Sequence, residues 1–185
     1  MQLTAQAHNI VAQYLHSGDL AIDATAGNGH DSCFLAQQVG GSGKIFAFDI
    51  QQQALDTTAH TLAARGLSKP VRLIHRGHEH LTEELPADCR GKVRAVMFNL
   101  GYLPGGDKRL TTTDITTLAA LEQARTLLST DGVITVLAYR GHPGGEQETR
   151  AVEQKLRELA TNGLICSRIE SRSPVLFILA ANPHG

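Results

Sequence analysis

Apolar residues recur along the chain in two rhythms that take turns. Short, nearly continuous apolar runs predict strands at 19–23, 44–48, 71–75, 93–98 and 133–138. Between them, helical spacing predicts helices over 30–39, 51–65, 112–129 and 146–161, with a short helix inside the polar segment 76–86. A first helix over 3–16 gathers Leu3, Ala7, Ile10, Val11, Tyr14 and Leu15 on one side and stops at Gly18. Gly66, Asp131-Gly132 and Asn162-Gly163 mark further helix ends, while 40–43 and 141–145 read as glycine-rich loops. The chain closes with strands at 164–170 and 174–181, joined by a short turn containing Ser173-Pro174.

Strand and helix alternate five times, and then two strands follow one another with no helix between them. Alternation implies a parallel sheet built from right-handed crossovers, with helices on both faces. The short last connection joins only antiparallel strands. The expected fold is therefore α/β: a mostly parallel seven-stranded sheet with a C-terminal antiparallel hairpin, the class I methyltransferase (Rossmann-like) arrangement. No repeat, linker or low-complexity stretch interrupts the 185 residues, which predicts one domain over 1–185.

In such sheets ligands sit outside the carboxyl ends of the strands, near the point where strand order reverses. The first strand runs into Asp23-Ala24-Thr25-Ala26-Gly27-Asn28-Gly29-His30-Asp31. Gly27 and Gly29 allow positive φ and a close approach of ligand to backbone, and the next helix offers free N–H groups. Two glycines alone are a weak signal, since a plain tight turn gives the same letters. Asp49 ends the second strand, 20 residues beyond Gly29, where a carboxylate can accept both ribose hydroxyls of a nucleoside. Gln51 reaches for the same ribose or the adenine edge, and His78 follows the third strand where an adenine would lie. A dinucleotide calls for a third glycine where Ser32 stands, and Asp31 would repel a pyrophosphate. Asp31 suits an ammonium instead, as in the methionine part of S-adenosyl-L-methionine. As bland alternatives, Asp31 favours its helix N-terminus and Asp49 serves as a helix N-cap.

The fourth strand ends at Asn99-Leu100-Gly101-Tyr102, where methyltransferases acting on amino nitrogens often carry Asn/Asp-Pro-Pro-Tyr. Asn99 Oδ1 can accept a hydrogen bond from an amine and aim its lone pair at a sulfonium methyl, with Tyr102 stacked on a flat substrate. Leu100-Gly101 in place of Pro-Pro loosens that turn, and a local Asn turn is the plain alternative. An alkyl amine must lose a proton before attack; His142 and His78 are the candidate bases. His75, His78 and His80 match no closed zinc set, so no metal is expected. Lys108, Arg109, Arg140 and Arg150 flank the substrate side and could meet phosphates, although scattered solvated charge is the commoner reading.

Charge narrows the partners only a little. Seventeen basic and 18 acidic residues leave a net charge of −1, so there is no whole-protein field to capture nucleic acid, although a local patch would serve. The absence of Trp and an aromatic content of 4% argue against a broad base-stacking platform. No apolar run approaches the roughly 20 residues of a membrane span. Met1–Gln6 lacks a secretion pattern, and Cys33, Cys89 and Cys166 are too dispersed for a disulfide framework. A cytoplasmic location is expected.

Three segments, Asp23–Asp31, Asn99–Lys108 and Gly141–Glu146, together resemble the small bacterial proteins of the rRNA methylase family, and the likeness covers nearly the whole chain. That family includes tRNA 5-aminomethyl-2-thiouridine methyltransferases. The resemblance implies S-adenosyl-L-methionine and methyl transfer to the aminomethyl nitrogen of the wobble uridine in a tRNA anticodon stem-loop, by a homodimer. It implies cofactor contacts at Asn28, Asp31, Asp49, Gln51 and His78, and amine positioning at Asn99 and Tyr102. Pro143 is a local variation in the His-Pro-Gly-Gly loop. The other readings are methylation of an rRNA base or a small amine, and a non-catalytic nucleotide-binding module.

Overall fold

The apolar runs become β1 (Leu20–Asp23), β2 (Lys44–Asp49), β3 (Val71–His75), β4 (Val93–Leu100), β5 (Leu128–Ala138), β6 (Leu164–Glu170) and β7 (Val175–Ala181). The computed structural model describes residues 2–101, 113–141, 144–171 and 173–181. The strands form one sheet in the order β3-β2-β1-β4-β5-β7-β6. β1 to β5 pair in parallel, and β7 inserts antiparallel between β5 and β6. This is the expected class I methyltransferase topology, and its order reverses between β1 and β4.

The helices are α1 (Leu3–Val11), α2 (His30–Val39), α3 (Gln52–Ala64), α4 (Leu81–Glu84), α5 (Asp114–Leu127) and α6 (Gly145–Leu159). Because strand side chains alternate faces, one sheet yields two cores. Ile22, Phe46, Phe48, Val96, Phe98, Ile134 and Phe177 pack with Leu81, Leu121, Val152 and Leu156 of α4, α5 and α6. Ala21, Ile45, Met97, Leu137 and Leu176 pack on the other side with Leu3, Ala7 and Val11 of α1 and Leu35 and Val39 of α2. α3 joins that side through Leu55 against Ala47 and Leu62 against Cys33 and Ala36. Phe46, Phe48 and Phe177 are fully buried. Each contributes roughly 1.5–3 kcal/mol by leaving water.

Three boundaries differ from the periodicity. α1 stops at Val11, and Tyr14 and Leu15 reach the core through a tight turn whose N–H groups both bond Val11 O. β4 continues through Asn99 and Leu100, because both keep parallel partners, Leu137 and Ala138, on β5. Asn99 thus lies inside the strand, one residue before its end. β5 starts at Leu128, where the predicted helix should still run, since Leu128 is buried and pairs with Val93. Asp131-Gly132 is absorbed as an irregularity between the Val93–Leu128 and Ala95–Val133 pairs. Gly132 suits it: a Cβ there would stand 2.7 Å from Leu128 Cδ1 and 3.0 Å from Arg94 O.

Candidate functional site

A cavity of about 450 Å³ opens at the carboxyl edge of the parallel strands. Its wall comes from the segments that leave those strands: Ala24–Asn28 and Asp31 after β1, Asp49–Gln51 after β2, Arg76–Glu79 after β3, Asn99–Gly101 at β4 and Tyr139 after β5. Thr113 and Thr116 at the start of α5 close one side. Apolar runs that end together therefore deliver their polar successors to one place.

The turn after β1 is held from several directions. Asp49 Oδ2 accepts from Gly27 N at 2.9 Å and its Oδ1 accepts from Gln51 N at 2.9 Å. Asp49 is thus no N-cap for α3; Gln51 occupies that position without a side-chain bond. A carboxylate has about four lone-pair directions, so Asp49 keeps acceptor capacity beyond these two bonds. Thr58 Oγ1 donates to Gly27 O at 3.2 Å. Gly29 caps α2 at φ 79°, and a Cβ there would sit 3.0 Å from Thr58 Cα. Its part is conformational.

Asp23, at the end of β1, is fully buried and accepts from Ser32 Oγ at 2.6 Å and Thr25 N at 3.1 Å. Burial first, and the Asp31 carboxylate next, push its pKa up from 3.8 to about 7. Thr25 Oγ1 in turn accepts from Asn99 N at 2.8 Å, and Met97 O accepts from Ala24 N at 2.9 Å. These bonds tie the glycine turn to the strand that carries Asn99 across the reversal point.

Asp31 is buried in the first turn of α2, and its Oδ1 lies 2.6 Å from His8 Nε2. His78 is buried, edge-on to Phe98 at 5.6 Å, with Nδ1 3.2 Å from Ala24 O. A carbonyl only accepts, so Nδ1 carries the proton and Nε2 is left an acceptor. Burial lowers the His78 pKa, and the Ala24 bond opposes that only partly. The ring is a neutral wall of the cavity. The neighbouring histidines are turned elsewhere: His75 Nε2 is 3.0 Å from Ile50 O, and His80 Nδ1 is 3.1 Å from Glu83 Oε1.

Of the residues singled out from sequence, Gly27, Asn28, Asp31, Asp49, Gln51, His78 and Asn99 share this one cavity wall. Tyr102, His142 and Pro143 fall outside the described residues, as do Lys108 and Arg109. Arg140 pairs with Glu170 at 3.2 Å and Arg150 with Glu146 at 3.8 Å, both at the surface. Sequence reasoning missed Tyr139 in the wall and His8 behind it, and gave Asp23 and Thr25 no part beyond belonging to the turn. Asp23 carried a signal, being the acid that ends an apolar run; His8 carried none, since only the packing of α1 brings it to Asp31.

Residues 45–175 match the model of the family described as "Putative rRNA methylase". The chain belongs to the rRNA methylase family. This family member is 38% identical over 175 residues to the Arabidopsis thaliana protein named tRNA (mnm(5)s(2)U34)-methyltransferase, chloroplastic. The match covers 90% of this chain and 63% of the plant protein, so the chain spans less than two thirds of that relative. A "putative rRNA-methylase" from Clostridium thermocellum superposes with a TM-score of 0.90 at 37% identity, covering 97% of both chains. A "putative methyltransferase" from Streptococcus mutans, solved in complex with SAH, superposes with a TM-score of 0.85 at 29% identity, covering 98% of this chain and 99% of that one.

Two outcomes follow from the turn. Gly29→Ala places a side chain in left-handed backbone against Thr58, and should lower stability by about 1–3 kcal/mol in urea titration. Asp23 binds its proton more tightly folded than unfolded, so its contribution to stability is lost as pH rises from about 4 to the raised value of about 7. Asp23→Asn keeps an acceptor for Thr25 N and turns the Ser32 contact into one that the amide donates; it should abolish that slope, gaining up to about 4 kcal/mol over the native chain above neutral pH. Denaturant midpoints across pH 4–8 check this.

Proposed function

We propose that this single-domain chain is an S-adenosyl-L-methionine-dependent N-methyltransferase acting on the aminomethyl group of 5-aminomethyl-2-thiouridine at the tRNA wobble position, giving 5-methylaminomethyl-2-thiouridine. The observation that carries the reading is that Asn99 and the carboxylate-lined glycine turn share one cavity across the β1–β4 reversal, joined through Thr25. The plant relative's name supplies the acceptor.

The donor set fits a cationic nucleoside. Asp23, Asp31 and Asp49 all stand around the turn, an arrangement hostile to pyrophosphate and favourable to an ammonium and a sulfonium. S-adenosyl-L-methionine supplies an electrophilic methyl group on sulfur. Asp49, with lone pairs to spare, accepts the ribose hydroxyls; Asp31 accepts from the ammonium. Gln51 and neutral His78 border the adenine, and the small side chains of Ala24 and Ala26 let the nucleoside lie against the backbone, beside Asn28. Asn99 Oδ1 would accept from the substrate amine and so orient its lone pair toward the methyl donor. From the sequence motifs, Tyr102 is assigned to stack on the flat substrate and His142 to take the amine proton.

The anticodon stem-loop is the RNA element this reading requires. No helix among the described residues is long and apolar enough to cross a membrane. The three free cysteines, Cys33, Cys89 and Cys166, support a reducing, cytoplasmic setting. A homodimer is the assembly suggested by the family resemblance, and sedimentation velocity measures it. The family description favours one second reading, methylation of an rRNA base.

Incubation with labelled S-adenosyl-L-methionine and tRNA bearing the unmethylated aminomethyl group should label the wobble nucleoside, read by nucleoside mass spectrometry. In a parallel incubation with rRNA, label taken up by rRNA and not by tRNA would replace this reading with the second. Asn99→Ala should lower kcat by roughly 100-fold with little change in cofactor affinity, since aim rather than binding is lost. Asp49→Ala should instead weaken cofactor binding, by roughly tenfold or more, because ribose and turn contacts go together.

A further inference from the structure

The N-terminal helix reaches the cavity from behind. On α1, His8 places Nε2 2.6 Å from Asp31 Oδ1. Its ring also stacks on Phe34 at 4.0 Å, with 3° between the planes. Asp31 and Phe34 are three residues apart on α2 and so present adjacent side chains on one face. One imidazole is thus held by two neighbours on a single helix, fixed in plane by the stack and in direction by the hydrogen bond. An ionised carboxylate only accepts, so His8 donates through Nε2–H, and the bond takes one lone-pair direction of Oδ1. Thr4, one turn before His8 on α1, is hydrogen-bonded to the Tyr139 side chain. Asp31 and Tyr139 line the cavity, whereas Thr4 and His8 are not part of its wall.

We propose that His8 is a positioning residue, which clamps the Asp31 carboxylate in the orientation that receives the amino-acid end of the cofactor. This rests on the reading of the cavity as a sulfonium-nucleoside site. The physical need is specific. A carboxylate at a cavity wall that nothing holds can still turn about its side-chain torsions, and ordering it at the moment of binding costs affinity. A donor locked by stacking sets that order in advance. Leu, which buries the same helix face without a donor, should free the carboxylate; Gln, whose amide nitrogen overlies Nε2, should hold it.

Calorimetry with two probes separates this role from general packing. S-adenosylhomocysteine carries the amino-acid end, and 5′-methylthioadenosine has the same nucleoside without it. His8→Leu should weaken S-adenosylhomocysteine roughly tenfold and leave 5′-methylthioadenosine within about twofold, while His8→Gln recovers most of the loss. Equal weakening of both probes, or no weakening of S-adenosylhomocysteine, overturns the role of His8 and leaves the cofactor reading standing. Failure of the native protein to bind either probe overturns the cofactor reading and this proposal with it.

Discussion

The turn after β1 keeps its shape because one carboxylate, Asp49, accepts from the backbone of Gly27 and Gln51 at once. Strands β1 and β2 are already neighbours in the sheet, but parallel pairing stops at Asp23 and Ala47. Beyond that register Ala24 N still bonds Met97 O and Ala26 N still bonds Phe48 O, but Gly27 N turns away from the strand carbonyls, and leaving it unsatisfied would be costly. Asp49 satisfies it. It closes the gap between the two strand ends and leaves Gly27 and Asn28 facing the cavity.

The same turn creates an electrostatic problem that the fold only partly relieves. Asp23 lies beneath it, stabilised by Ser32 and Thr25 and opposed by burial and by Asp31 and Asp49. Buried carboxylates without cations drift toward the protonated form. His8 relieves Asp31 with a hydrogen bond, and the positive end of α2 adds a partial charge beside it. The backbone bond from Asn99 to Thr25 then ties this acidic cluster to β4, so any group aimed by Asn99 is registered against the turn.

Much of this was legible in the sequence for a simple reason. Parallel strands buried on both faces write themselves as unbroken apolar runs, and the first polar residue after each run falls at the ligand edge. Asp49 and Asn99 stand at the ends of such runs and His78 three residues beyond one, and all three line the cavity. Boundaries failed where tertiary pairing overruled local pattern: Leu128 reads as the end of a helix until Val93 offers it a ladder, and Asn99 reads as a turn until Leu137 extends the strand. The site was missed where contacts depend on docking. His8 and Asp31 are 23 residues apart, and nothing local to either announces the other.

An acidic cavity also bears on turnover. On the proposed reading, the group that Asp31 and Asp49 help to hold arrives with two positive centres near the carboxylates, an ammonium and a sulfonium, and leaves with only the ammonium. Asp31 and Asp49 are unchanged by the transfer, so their attraction for the spent nucleoside is weaker than for the charged one. In a cavity of about 450 Å³ walled by low-dielectric strand ends, loss of one charge within a few ångströms is worth more than in water. The carboxylates that attract the donor thus also favour exchange of its product, with no moving part required.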